Sequence, residues 1–490
     1  MPILNEPSEK VKFSFWEKEI HRQVCELGCN VLKEAIEAQS DQIHQTRDKK
    51  KYRDKGTRKS CIKTLMGPVE YSRHVYQVVD ETGKSACIYL LDQWLGMDTI
   101  GHMSECVVDK IVEGSSAMSF RKAAKEIKDL TGLSISHAGV WNVVQEFGKG
   151  LEKHEETLVQ QYDRGELNGT KEISVLFEEA DGDYLCIQRR NRGKRGKERK
   201  ELKLAVTYEG WKRQPGTEER YHLVNKCFVS GFMESDAFKS LRQAKISETY
   251  NVDKIQYHVL NGDGAGWIRQ DHHGKRNIYQ MDPFHWRREV LRAVADKREA
   301  VRIQRMLVEG EMEQAIARLT ELKFECGGEE TRVKALQKLQ EYLLTLSFGI
   351  QPWQHREGVI IPEAPQGSVY RNMGTMEHHI CDVVGLRMKG RKMSWSIAGG
   401  NHMGKILACK MSGEIPGMLS AIVAGKVPEK LQQTIETILV AVKEDAKKHR
   451  GEIYQVHRGG WPYEGMPVTP GRNVIREIFK LRDFTELTYK

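Results

Sequence analysis

The sequence predicts an α/β protein: a mixed β-sheet core split by a helical insertion, with an N-terminal α+β region ahead of it. Three observations predict this class. From Glu172 to Leu260 short apolar runs with strand spacing dominate, broken by one helical stretch near Phe238 to Tyr250. From Trp286 to Leu346 the β character gives way to a highly charged segment with helical spacing, which marks an insertion. Before the sheet, Ser119 to Gly150 carries two helical stripes parted by Thr131-Gly132-Leu133.

At 490 residues the chain exceeds one ordinary core, and roughly two to four domains are expected. Lys plus Arg outnumber Asp plus Glu by nine, 77 against 68. That excess matters only where it is concentrated beside a polyanion. The ten cysteines contain no C-x2-C pair and no secretory leader precedes them, so a reducing cytoplasm is expected. Cys25 and Cys29 stand four apart on a helical pattern without further ligands nearby, and read as core rather than as a zinc pair. No run approaches the roughly 18 apolar residues of a membrane span, so no membrane partner is expected.

Apolar residues recur at helical spacing from Phe13 to Gln45, and the helix runs into the basic stretch Arg47 to Lys59. Alternation around Gly67-Pro68, between Ser60 and Val79, reads as a hairpin. Phe120, Ala123, Ala124, Ile127 and Leu130 make one helical stripe; Val140, Val143, Val144 and Phe147 make a second, capped by Ser134 or Ser136. Two short helices around a tight glycine turn form a helix-turn-helix. In a DNA-binding version the second helix enters the major groove, making Ser136, His137, Asn142 and Gln145 the candidate base readers. A helical hairpin packed inside a larger domain is the plainer reading.

The strands are expected at Ile173 to Phe177, Asp183 to Gln188, Leu202 to Tyr208 and Lys226 to Gly231, with Ile255 to Leu260 after the helix. Asp181 follows the apolar Val175-Leu176-Phe177, and Gly182 leaves room for an approach to the backbone. Asp263 ends the later strand between Gly262 and Gly264. A strand-ending aspartate is often only a turn former. Placed on the first and fourth strands of a meander-helix-strand order, however, the two follow the pattern of an RNase H-like sheet, in which those strands are neighbours and the carboxylates meet. A third carboxylate should come from a helix after the sheet, and Glu377 is the best placed, near a cap at Thr375.

Such a triad suits phosphodiester chemistry. Two hard divalent ions about 4 Å apart, magnesium or manganese, activate the nucleophile and stabilise the leaving oxygen, and they take carboxylate ligands. Glu179 and Asp183 share a strand face with Asp181 and are candidates to support it, as is His285 in Asp282-Pro-Phe-His285. Arg189, Arg190, Arg192, Lys194, Arg195, Lys197, Arg199 and Lys200 put eight cations in twelve residues on the loop after the first strand. Nucleic acid is the partner that concentration favours. Arg387, Lys389, Arg391 and Lys392 would suit phosphates flanking the third acid.

These motifs together resemble the ISLre-type insertion-sequence transposases, with Mutator-like transposases as more distant kin. The resemblance runs nearly end to end. It rests on Lys51-Tyr52-Arg53 with Gly67, Tyr71 and Arg73; on Ser119-Phe120-Arg121; on Glu179-Ala180-Asp181-Gly182; on Gly262-Asp263-Gly264 with Trp267; on Asp282-Pro-Phe-His285; and on Met376-Glu377 followed by Arg387-Met388 and Met393-Ser394-Trp395-Ser396. It implies a DDE transposase with an RNase H-like core interrupted by a helical insertion, and the acidic triad Asp181, Asp263 and Glu377. Mutator-like relatives carry Cys-x2-His where this chain has Asp282 and His285, so no metal role transfers there.

The expected function is therefore DNA transposition: metal-assisted cleavage at element ends, then attack of the freed 3′-hydroxyl on target DNA. A homodimer or larger assembly would pair the two ends. The rival readings are a non-catalytic DNA-binding regulator and an RNase H-like nuclease. The organisation expected is a DNA-recognition region over 1–160, core halves over 161–285 and 371–425, the helical insertion over 286–370 and a helical tail over 426–490.

Overall fold

The computed structural model describes residues 13–79, 85–95, 102–188, 198–216, 220–269, 276–390 and 393–423. The basic loop at 189–197, Arg391 and Lys392, and the expected C-terminal helix lie outside the described residues.

The N-terminal unit forms as its spacing predicts. Helix α1 (Phe13–Thr46) packs along the hairpin of β1 (Arg53–Thr64) and β2 (Gly67–Val79), and β3 (Ser85–Ile88) and α2 (Leu90–Leu95) complete it. Gly67, at φ +133°, takes the backbone angle that closes the hairpin after Thr64. Cys29, Leu32, Ile36 and Ile43 recur on one helix face and cover Ile62, Val69 and Tyr71.

Helices α3 (Glu105–Ala117), α4 (Phe120–Thr131) and α5 (His137–Asp163) follow. Ser119 caps α4 and Ser136 caps α5, the latter accepting from the Gly139 amide at 3.0 Å. Gly132, at φ +71°, ends α4. The stripe from Val140 to Phe147 is buried as expected, but Leu130 is 72% exposed, although Ile127 and Leu133 on either side of it are buried. These helices do not stand apart: Val107, Ile111, Val140 and Phe147 share one apolar cluster with the main sheet and with Met403 and Ile406.

That sheet has the order β10-β9-β4-β5-β8. It contains β4 (Val175–Ile187), β5 (Glu198–Tyr208) and β8 (Cys227–Gly231) as an antiparallel meander. A small ribbon, β6 (Trp211–Arg213) with β7 (Tyr221–Leu223), intervenes before β8. After α6 (Ser235–Thr249), β9 (Tyr257–Gly262) pairs parallel to β4; α7 (Gly266–Arg269) leads to β10 (Asn277–Met281), parallel to β9. The two strands expected at 173–177 and 183–188 are one 13-residue strand. The acidic run between them does not break it, since Glu178 is buried against Arg242 and His258.

Strand alternation gives the sheet two faces. One carries Ala180, Leu260, Tyr279 and Met281 and is covered by α6 and the insertion, α8 (Pro283–Ala293), α9 (Lys297–Glu309), α10 (Met312–Glu325), α11 (Glu330–Thr345) and α12 (Ser347–Ile350). The other carries Phe177, Val206, Val259 and Ile278. The chain returns to this second face through Trp353, whose amide donates to Gln280 Oε1 at 3.1 Å. It then forms α13 (Met376–His379), a π-helix over Ile380–Lys389, α14 (Ile397–Ser412) and α15 (Ile415–Val423). Among the described residues no helix is long and apolar enough to cross a membrane.

Candidate active site

The register of β4 against β9 sets the site. Glu179 pairs with Asn261 and Ala180 with Gly262, so the next step along the two parallel strands reaches Asp181 and Asp263. Asp181 lies on the side of Phe177 and Val259, while Asp263 stands one residue past the end of β9, near Tyr279 and Tyr342. Asp282 joins the row, because β10 pairs Met281 with Gly262 and the Asp282 amide donates to Gly262 O at 2.8 Å. Aspartates thus stand at one level of three neighbouring strands, in the middle of β4 and just past the ends of β9 and β10.

Each of these carboxylates has a local anchor. Asp181 Oδ1 accepts from the Gly182 amide at 2.6 Å, and Asp263 Oδ1 from the Ala265 amide at 2.8 Å. Gly264, at φ +97°, makes the turn after Asp263, a conformation that favours glycine. Asp282 caps α8 through the Phe284 amide at 2.7 Å and accepts from Asn261 Nδ2 at 3.3 Å. Burial pushes the Asp282 carboxyl above the ordinary range, against the hydrogen bond from Phe284 and the field of half-buried His285.

Glu179 does different work from the support expected of it. It is fully buried and accepts six hydrogen bonds. Two come from the sheet: Tyr208 OH at 2.6 Å and Asn261 Nδ2 at 3.1 Å. Four come from the turn that opens α13: the amides of Gly374, Thr375 and Met376 at 3.2, 2.8 and 3.1 Å, and Thr375 Oγ1 at 2.7 Å. A carboxylate at the start of a helix satisfies amides that have no partner within the helix. Four residues along the same strand face, Asp183 pairs with Lys389 at the far end of the π-helix. The segment that carries Glu377 is therefore tied to β4 on both sides of Asp181. Glu377 itself lies in α13, with its side chain outside the described residues.

The other expected residues divide. Ser136, His137 and Asn142 are exposed at the start of α5. Gln145 is not available as a base reader: it is buried, and its Oε1 accepts from His402 Nδ1 at 2.8 Å. Arg387 is not a surface phosphate contact either. It is buried between the rings of Phe120 and Trp395, at 5.2 and 5.1 Å, and its Nε donates to Ser115 O at 2.6 Å. Burial alone brings its guanidinium down to about 10. The room left by Gly182 is taken by Glu201, whose Oε1 lies 2.1 Å from where a Cβ would stand. Tyr208 and Asn261, which hold Glu179, were not singled out in the sequence; the available signal was an asparagine next to Val259-Leu260 at the end of a short strand.

The donor set fits hard divalent cations. Asp181, Asp263 and Asp282 offer only carboxylate oxygens, and among the described residues these three do not gather their ligand atoms within 4.8 Å of one another.

Residues 8–419 match the model of UPF0236, an uncharacterised protein family, and the chain belongs to that family. Among its relatives is a UPF0236 protein of Caldanaerobacter subterraneus subsp. tengcongensis, 25% identical over 402 residues, which are 81% of this chain and 78% of that protein. A second from the same organism is 25% identical over 387 residues, 78% of this chain and 74% of its own length. A third, from Streptococcus gallolyticus and named for its place in the vanSb 3′ region, is 23% identical over 301 residues, covering 60% and 62%.

Proposed function

We propose that the chain is a DDE-type DNA transposase of an insertion sequence, with Asp181, Asp263 and Glu377 as the carboxylates that hold two magnesium or manganese ions. The observation that carries the reading is the register that sets Ala180 beside Gly262, one residue before Asp181 and Asp263, together with the ties that hold the Glu377 segment to β4. The strand order supports it. A three-strand meander, a helix, then two strands parallel to the first is the arrangement of an RNase H-like core.

The relatives add support of another kind. The first Caldanaerobacter protein carries eleven locus labels under one name. One protein at eleven places in a genome is what a self-copying element leaves behind. The excess of basic residues, concentrated between Arg189 and Lys200, suits a polyanion.

In this reading the bound ions supply charge neutralisation at phosphorus and a reactive oxygen. The protein's own contribution is positional. Glu179 and Asp183 set the third acid's segment against β4, and Gly264 turns the chain so that Asp263 closes the row. The helix pair α4–α5, with Ser136, His137 and Asn142 at its exposed start, contacts DNA. Two copies in the cytoplasm hold two element ends.

The test uses purified full-length protein with DNA carrying the gene's own genomic flanks. Nicking that requires magnesium or manganese, joined products from a pre-cut end with a free 3′-hydroxyl, and loss of both in Asp181→Asn and Asp263→Asn are expected. Binding without nicking would instead identify a regulator, and nicking without joining a nuclease.

A further inference from the structure

A second cluster of ligand-type side chains stands in the N-terminal unit, away from the acidic row. His44 lies in the last turn of α1, Asp54 at the start of β1 and His74 in the middle of β2. One ligand atom from each lies within 4.8 Å of the others. His44 Nδ1 is 3.9 Å and His74 Nδ1 3.7 Å from Asp54 Oδ1, and the two imidazoles stack with centroids 3.9 Å apart.

The groups around this trio orient it. His74 Nε2 faces Asp41 Oδ1 at 3.2 Å, and since a carboxylate can only accept, that nitrogen carries the proton. The ring's other nitrogen, Nδ1, faces Asp54 Oδ1. It is buried and has no hydrogen-bond partner. A proton on Nδ1 or a metal ion between the two atoms would satisfy this 3.7 Å pair. The Gly56 amide, in a bulge of β1, donates to Asp54 Oδ1 at 3.2 Å and holds that carboxylate in place. Imidazoles whose far nitrogen donates to a carboxylate are a recurrent feature of metal centres, where the partner fixes tautomer and ring orientation.

We infer that His44, Asp54 and His74 form a binding site for a divalent transition-metal ion, zinc by preference, with water in the fourth position. Ligand atoms around tetrahedral zinc, at bonds of about 2.0–2.1 Å, stand roughly 3.3–3.4 Å apart, so on binding the separations of 3.9 and 3.7 Å from Asp54 close and the stacked imidazoles turn toward a common point. Two imidazoles select zinc over magnesium, which takes oxygen ligands. Asp41 and Asp54 together balance the ion's two charges. The site joins α1, β1 and β2 at the root of the basic stretch Arg47 to Lys59, and metal there locks the direction in which that stretch leaves the unit.

The experiment strips the full-length protein with a chelator and titrates zinc against a chromophoric competitor. One equivalent per chain, bound at micromolar affinity or better, is expected. Cobalt substitution should give the visible absorption of a four-coordinate centre. His44→Gln with His74→Gln should abolish that equivalent, and Asp41→Asn should weaken it by about 10- to 100-fold. Asp54→Asn, at a half-exposed position, gives the same loss without depending on the double variant's folding. Asp181→Asn with Asp263→Asn should keep the zinc, which separates this site from the acidic row. Cys25→Ser with Cys29→Ser should keep it too, which excludes the thiols beside His21 on α1. Absence of a tight equivalent in the wild type, its survival without the two histidines, or its loss with the cysteines would each overturn the assignment.

Discussion

Replacing Glu179 is the sharpest probe of how the acidic row is assembled. Glu179→Gln keeps the shape but removes the charge and turns one acceptor oxygen into a donor. Six donors face the two oxygens, four of them on Oε2 and two, both hydroxyls, on Oε1. The least costly arrangement keeps the amide oxygen toward the four and turns the new NH2 toward Tyr208 and Thr375, whose hydroxyls can rotate to accept. What is lost is charge assistance on four bonds. A hydrogen bond to a charged group is worth about 1.5–3 kcal/mol against about 1 for a neutral one. With non-additivity, the loss of docking comes to roughly 3 kcal/mol, or on the order of 100-fold in the local opening equilibrium. Hydrogen exchange measures this directly, because the amides of Gly374, Thr375 and Met376 should exchange about 100-fold faster while those of β5 and α14 stay protected. Metal-dependent nicking should fall in parallel. Unchanged exchange at 374–376 in a folded variant would refute the view that Glu179 holds the α13 turn.

Other outcomes follow from the same geometry. Arg387→Gln should destabilise the fold by roughly 3 kcal/mol, because it removes a buried cation that spans Ser115 O and two rings, yet leave the salt slope of DNA binding unchanged. A slope lower by about one would return Arg387 to the list of phosphate contacts. The Asp282 carboxyl is raised by burial, so the stability it contributes is complete below the ordinary carboxyl range and is lost as pH rises through its raised value. Asp282→Asn keeps the cap and stays neutral, so its melting temperature relative to wild type should climb as pH rises above the ordinary aspartate range; a flat difference would contradict this. Gly148→Ala puts a Cβ 2.3 Å from His402 Cβ and should cost about 1–3 kcal/mol in chemical denaturation. Gly182→Ala meets only the end of Glu201, which can swing away, and should cost under about 1 kcal/mol.

Much of this arrangement could be read from local pattern. A period of two was enough to put Glu179, Asp181 and Asp183 on one face, and turn residues placed Asp263 at a strand end. Serine caps and Gly132 located both ends of the α4–α5 turn. What escaped depended on partners distant in the chain. Gln145 sits among residues that look like an exposed helix start, and only His402, on α14, shows that it points inward. Arg387 stands in a run of cations, and its burial comes from Phe120 and Trp395 closing on it from separate elements. The acidic run after Phe177 looked like a strand break because the charges that neutralise Glu178 lie on α6 and β9.

The span of the Glu179 contacts has a consequence for synthesis. The donors from α13 stand 195 to 197 residues beyond the carboxylate, on the far side of the helical insertion. A chain that has emerged from the ribosome only as far as the end of the insertion possesses Asp181 and Asp263 but not the turn that Glu179 must grip. Long-range contacts of this kind also form late in folding. Ribosome-bound and prematurely terminated chains are thus kept from completing the acidic centre, a delay that follows from the order of the elements alone.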